Sequence, residues 1–329
     1  MAKGSREIRR KIKSTKSTRQ ITKAMELVSA SKMRRAVSNT LALRPYAQMA
    51  EVMIRRLATV MHKDERGDVS QVALHPLLEK REVKKVLVVV ISTDRGLCGG
   101  LNTQLAKKVA EYVRGEKGNS GRVSSEIVVP QIDFIAIGKK SQDFLRRQNL
   151  NVVGAYAAMS NHPKITDTYP VSRMVLKDYM TRKYDKVMLI YTEFVSALSQ
   201  KPVCRRLLPL SEKALEEMVT ELDGSTANAH KQNVVREAGA GQDADEYLFE
   251  PSAERVLGVM LPKLTEMQVF QAVLEATASE HAARMFAMRN ASDNAKELIS
   301  DFTLLYNRIR QAAVTAELAE ISAGRAALG

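Results

Sequence analysis

The residues with the strongest claim to chemistry lie in STDRGLCGGLN (92–102), where Gly96, Gly99 and Gly100 fall between an apolar run and a helical pattern. A glycine-rich turn in that position can cradle phosphate on backbone N–H groups at a helix N-terminus. Here the spacing is G-x-x-G-G, which is neither G-x-G-x-x-G nor a P-loop, since no Gly-Lys-Ser/Thr follows. A tight strand-to-helix connection that needs positive φ accounts for the same glycines. His62, His75, His162, His230 and His281 form no H-x-x-x-H or H-E-x-x-H pair, and Cys98 and Cys204 fit no metal-ligand spacing. No G-x-S-x-G stands anywhere in the chain. The expectation is a chain with no catalytic, cofactor-binding or metal site of its own.

The elements around that turn alternate. VLVVVI (86–91) is a continuous β-branched run, the mark of a strand buried on both faces. Asn102 can cap a helix over 103–114. IDFIAIG (132–138) reads as the next strand, followed by a polar helix at 141–148. Pro170 opens an amphipathic helix to Lys183, KVMLIYTEF (186–194) is again strand, and PVCRRLLPL (202–210) reads as an edge strand. This alternation predicts a Rossmann-like α/β domain over 83–210 with a mainly parallel sheet. Residues 211–245 follow as an acidic, polar insertion with a loop-like AGAGQDADE stretch.

The two ends of the chain carry a different pattern. From Lys263 to Ala323 there is neither Pro nor Gly, enough for about 90 Å of helix at 1.5 Å per residue. A 3–4 spacing runs through Met267, Phe270, Leu274, Thr277, His281, Arg284, Met288, Ala291, Ala295, Leu298, Phe302, Leu305 and Ile309, and shrinks to Ala312, Ala316, Ala319 and Ala323. That is a coiled-coil seam, with a slender tip. Residues 1–62 supply the expected partner. A stripe at Met33, Ala36, Thr40, Leu43, Ala47, Ala50, Ile54, Leu57 and Met61 is preceded by a weaker one at Ile8, Ile12, Ile21, Met25 and Val28, with a phase slip near Ser29–Lys32. Pro45 should bend or break this helix. The fold class predicted is α/β plus a long antiparallel coiled coil, in which helices 1–62 and 252–329 pair across the central domain.

Charge is unevenly placed within a net of +14. Residues 1–60 hold 15 Lys/Arg against three acids, whereas 211–251 hold ten acids against three bases. So basic an arm suits phosphate, an anionic membrane or an acidic protein surface. A basic coiled coil that binds nucleic acid is one reading, but there is no Trp and no recognisable nucleic-acid module. No apolar run reaches the roughly 20 residues needed to span a bilayer, and the basic N-terminus lacks the apolar core of a secretory signal. The chain is expected to stay on the cytoplasmic side.

Three stretches carry a family resemblance: ITKAMELVSASKMRRA (21–36), STDRGLCGGLN (92–102) and LLYNRIRQAAVTAELAEISAG (304–324). In sequence, order and interval they closely resemble the gamma subunits of F-type ATP synthases. The resemblance implies a rotating central stalk that couples proton or sodium flow through a c-ring to ATP synthesis or hydrolysis in an alpha/beta hexamer. It implies a non-catalytic subunit with alpha, beta, epsilon and the c-ring as partners, peripheral to the inner membrane of a bacterium on its cytoplasmic face.

By the same resemblance, Arg310, Gln311, Thr315 and Glu317 match positions that contact a beta subunit. Met25 and Arg284 match a pair coupled to energy transfer, and Tyr247 and Glu250 match the foot that meets epsilon and the ring. Two departures stand out. Arg325 replaces the alanine usual after the terminal glycine, so the extreme tip is expected to pack differently. The 211–245 insertion sits where photosynthetic members carry a redox segment with a cysteine pair, but it has no cysteine; thiol switching is not expected.

Overall fold

A computed structural model describes residues 2–43, 75–79, 81–118, 130–157, 163–210 and 253–326. They divide into two compact units. The larger, Lys32–Gly96 with Gly100–Glu280, is built on a five-stranded sheet. Its strands are β1 (Lys85–Ile91), β2 (Gln131–Ile137), β3 (Val152–Tyr156), β4 (Lys186–Phe194) and β5 (Gln200–Leu208), in the order β3-β2-β1-β4-β5. All neighbours run parallel except β4 and β5, which pair antiparallel. β5 is the expected edge strand, and Pro202 is tolerated there because an edge can forgo one ladder donor.

The run Val86–Ile91 is buried residue after residue because both faces of the sheet are covered. Leu87, Val89 and Ile91 join a core with α4 (Ile165–Met180) and the lower part of α5 (Ala253–Ala326). Val86, Val88 and Val90 join a second core with α2 (Leu101–Gly118) and α3 (Lys139–Arg147). Each fully buried Val, Leu or Ile contributes about 1.5–3 kcal/mol before ordering entropy is subtracted.

Local details differ from the sequence reading. β3 is an additional strand, short and interrupted by Gly154, so its pattern falls below a strand signal. α4 begins at Ile165, with Pro170 inside it. Its start is fixed by the Asp167 carboxylate, which accepts from the Lys164 backbone N–H at 2.9 Å. α2 starts at Leu101, so Asn102 is not its cap; the Asn102 amide donates instead to Thr93 Oγ1 at 2.8 Å.

The lower part of α5 is also a core helix. Leu261, Leu264, Val269, Ala272 and Val273 enter the sheet core, while Met267, Phe270, Gln271, Leu274 and Glu275 are buried as well. A helix covered on most of its circumference cannot show a two-position seam in its sequence.

The second unit comprises Met1–Ser31, His281–Gly329 and the turn Leu97–Gly99. It pairs α1 (Ala2–Ala42) with the upper part of α5. The carboxyl-terminal end of α1 and the amino-terminal end of α5 both belong to the other unit, so the pair is antiparallel. On α1 the covered positions are Ser5, Ile8, Ile12, Thr15, Thr22, Glu26 and Ser29, and the same spacing continues at Met33, Ala36, Thr40 and Leu43. There is no phase slip: Ile21 and Val28 are 60% and 54% exposed, and the small polar residues Thr22 and Ser29 take the inner positions. α1 ends at Ala42, just before Pro45, and residues 44–62 lie outside the described residues.

On α5 the covered stripe runs Met288, Ser292, Ala295, Ile299, Phe302, Tyr306, Ile309, Ala313 and Ala316. Half of the predicted seam therefore holds (288, 295, 302, 309, 316), and the other half is displaced by one residue. Leu298 and Leu305 point outward, at 47% and 44% exposure.

Candidate interaction surface

The glycine-rich turn has its polar groups committed internally. Ser92 Oγ accepts from the Ser141 backbone N–H at 2.7 Å, Thr93 O from Lys140 N at 3.1 Å, and Asp94 Oδ1 from Lys139 N at 2.9 Å. These are the first N–H groups of α3, the donors that an anion at that helix end would need. Gly138 has φ +95, and a Cβ there would lie 2.4 Å from Ser92 O, so the two segments are in backbone contact. Beyond Gly96, the tip Leu97–Gly99 belongs to the helical unit, where Cys98 is buried. Sequence reasoning missed that role; Leu97 at φ 63, a non-glycine in the left-handed region, is its conformational mark. Ser92–Asp94 thus tie the end of β1 to the start of α3, with residues that looked most like a phosphate site.

Of the residues singled out beforehand, Met25, Arg284, Arg310, Gln311, Thr315 and Glu317 fall in the helical unit. Met25 is half-buried beside the covered stripe of α1. Arg284 is buried, with Nη1 3.4 Å from His281 Nδ1 one turn earlier. Arg310, Gln311, Thr315 and Glu317 are exposed, and the Thr315 hydroxyl donates to the Gln311 carbonyl at 2.9 Å. Tyr247, Glu250 and the 211–245 insertion lie outside the described residues.

Geometry separates the upper end of α5 from the rest of the pair. α1 brings about 45 Å of helix to this unit and α5 about 69 Å, at 1.5 Å per residue. The helices cannot pair throughout, and every described residue from Glu317 to Ala323 is exposed. The tip is thus a single helix. Ala319 and Ala323 do not form a seam there, while Val314, Leu318 and Ile321 stand outward, Ile321 at 69% exposure. Apolar side chains at i, i+4 and i+7 make one face, with Arg310, Gln311 and Glu317 at its margin. Leu298 and Leu305 add outward apolar groups lower down, and α1 adds Ile21, Leu27 and Val28 amid exposed bases.

The thiols and buried phenols of the sheet unit give no reactive centre among the described residues. Burial pushes the Cys204 thiol up to about 11 and raises Tyr112 and Tyr184, leaving all three protonated. Burial works against the Glu116 carboxylate and is the largest single effect, but the 2.7 Å bond from Lys186, the Tyr112 phenol and the Lys186 charge together outweigh it and hold Glu116 below the usual range. No group of His, Cys, Asp and Glu among the described residues could hold a metal ion. No described helix is long and apolar enough to cross a membrane.

Comparison with known proteins extends over the chain as a whole. A family model described as ATP synthase matches residues 4–328. The ATP synthase gamma chain of Herpetosiphon aurantiacus is 42% identical over 330 aligned residues, covering 98% of each chain. That of Heliobacterium modesticaldum is 40% identical, covering 99% of each. Among solved structures, a chain of the Euglena gracilis mitochondrial ATP synthase (OSCP/F1/c-ring, rotational state 3) aligns with a TM-score of 0.61 at 21% identity, over 100% of this chain and 95% of that one. A chain of the Tetrahymena thermophila central stalk and c-ring aligns at 0.53 and 22% identity, over 83% and 99%. At these identities the structural matches speak to the fold.

Proposed function

This chain belongs to the ATP synthase gamma chain family, and we propose that it is the rotating central stalk of a bacterial F-type ATP synthase. It has no catalytic role of its own. It transmits rotation, driven by proton or sodium flow through a c-ring, to a hexamer of alpha and beta subunits where ATP is made or hydrolysed. The observation that carries this reading is the form of α5: its residues up to Glu280 enter a sheet core, those from His281 belong with α1 to the helical unit, and its last turns run single. A helix built this way is anchored against torsion at one end and narrow enough at the other to turn inside a sleeve.

In this reading helices 1–62 and 252–329 form the shaft, and the 83–210 domain forms the foot. Arg310, Gln311, Thr315 and Glu317 engage a beta subunit, at the margin of the apolar face formed by Val314, Leu318 and Ile321. Met25 and Arg284 lie in the transmission path, and Tyr247 and Glu250 meet epsilon and the c-ring. The basic face of α1, with 12 Lys/Arg against Glu7 and Glu26, suits acidic loops at the mouth of the hexamer. The chain is peripheral to the inner membrane, held on its cytoplasmic face through the complex.

Co-purification tests the proposal. Tagged chain expressed in its native host should bring down alpha and beta subunits, each three to one with it, together with hydrolysis activity that the isolated chain lacks. Recovery without them, or with nucleic acid in their place, would overturn it.

A further inference from the structure

The place where α5 sits on the sheet contains a carboxylic acid that the stalk reading does not use. Glu275 is buried on α5, facing β4 and β5. One oxygen, Oε1, accepts from the Gln271 amide at 2.9 Å; the other, Oε2, is buried and makes no hydrogen bond of good geometry, although the neighbouring Tyr191 phenol favours its charged form weakly. The groups that face it are Tyr191 and Glu193 on β4 and Arg205 on β5. Arg205 is the only cation in that set, and its Nη2 is paired to Glu193 Oε1 at 3.3 Å. Glu193 therefore competes for the charge that a Glu275 carboxylate would need, and adds its own repulsion. The Tyr191 phenol is almost wholly buried, and burial, with Glu275 close by, holds it well above the ordinary phenol range, so it remains neutral.

We propose that Glu275 holds its proton at neutral pH and anchors α5 to the sheet as a neutral acid. An ionised carboxylate here would be a buried charge with one oxygen unsolvated and one acid beside it. A neutral acid leaves at most one O–H short of an acceptor, much the smaller penalty. Burial raises the Glu275 pKa, with the Glu193 charge adding to it; the bond from Gln271, the charge of Arg205 and the Tyr191 phenol together offset only part of that effect. One turn along the helix, Ser279 donates to the Thr192 carbonyl at 3.1 Å, so a charge on Glu275 would act directly on the segment that ties α5 to β4. Glu275 is in this sense a positioning residue that acts through the seat of the helix.

The sign follows from the raised pKa. The stabilisation from the protonated acid is complete below the unfolded-state carboxylate pKa and is lost as pH rises through the folded value. Alkaline pH should loosen this seat, while acid should not.

The inference stands independently of the stalk reading and is tested on the full chain alone. In infrared spectra at neutral pH, the protonated-carboxyl C=O band should lose one acid's intensity in Glu275→Gln. Thermal melting should show a midpoint that falls with rising pH in the wild type more than in Glu275→Gln, because the amide mimics the neutral acid and cannot ionise. To guard against a variant that folds poorly, the wild-type Glu275 side-chain carboxyl carbon can be followed by NMR against pH. A chemical shift of an ionised carboxylate at neutral pH, or equal infrared bands in the two proteins, would sink the proposal.

Discussion

The Ser279 hydroxyl on α5 donates to the backbone carbonyl of Thr192 on β4 at 3.1 Å, and both residues are buried. It is a side-chain bond that reaches across from the stalk helix to the sheet ladder, close to where α5 leaves the sheet unit at Glu280. Replacing Ser279 by Ala leaves a buried carbonyl unsatisfied and should lower stability by about 1–3 kcal/mol. Urea unfolding of the full chain measures it, with an unchanged slope showing that only stability moved.

The register of the helical pair predicts a contrast between adjacent residues. Ile299→Asp or Tyr306→Asp puts a charge into the covered stripe and should abolish stable pairing of α1 with α5. Leu298→Asp and Leu305→Asp put the same charge on outward positions and should leave the pair intact. Circular dichroism melts of the full chain distinguish the two sets. Equal losses in both would show that the stripe is misplaced.

How the sequence misled at that stripe is physically informative. A seam needs two positions per heptad, and one of them was legible: Met288, Ala295, Phe302, Ile309 and Ala316. At the other, Leu298 and Leu305 are at least as apolar as the covered Ile299 and Tyr306 beside them, and Ala291 more so than Ser292, so the 3–4 pattern reads equally well one residue outward. A helix that buries one side against its partner and leaves apolar groups exposed on another carries two overlapping stripes. Sequence periodicity cannot say which is which. The same holds on α1, where Ile21 and Val28 face out while Thr22 and Ser29 face in. By contrast β1 was legible to the residue, because burial on both faces leaves no choice of phase. The role of the 92–102 turn was hidden because its partners, Lys139–Ser141, lie about 45 residues further along the chain.

The two thiols should be inert in the folded protein. Cys98 is buried, and burial pushes Cys204 up to about 11. Against an ordinary value of 9.0, that leaves roughly a hundredfold less thiolate at neutral pH. A thiol-reactive chromophore should therefore label neither cysteine quickly in native buffer and both in denaturant. Fast labelling of Cys204 in the native chain would contradict its placement on β5 against α2.

The last prediction concerns the upper end of α5, where the chain must turn within its surroundings yet push on them. The single-helix tip satisfies the first requirement, because beyond Ala316 nothing of α1 adds to its girth. Its exposed face suits the second: Val314, Leu318 and Ile321 offer a non-directional apolar contact, while Arg310 and Gln311 offer directional hydrogen bonds to whatever surrounds the tip. Apolar contacts slide at little cost, so the groups that resist and transmit force should be the directional ones. A charge-assisted hydrogen bond where solvent is partly excluded contributes about 1.5–3 kcal/mol. If it forms only in the rate-limiting rotary state, its loss slows turnover by roughly ten- to a hundredfold. Arg310→Ala with Gln311→Ala should assemble normally, since both side chains are exposed and outside the covered stripe. It should then slow ATP hydrolysis and synthesis in reconstituted complexes well beyond Arg325→Ala, which removes a charge from the far end of the same helix. If both variants turn over at the wild-type rate with full subunit stoichiometry, Arg310 and Gln311 are passive surface, and force must pass through the apolar face instead.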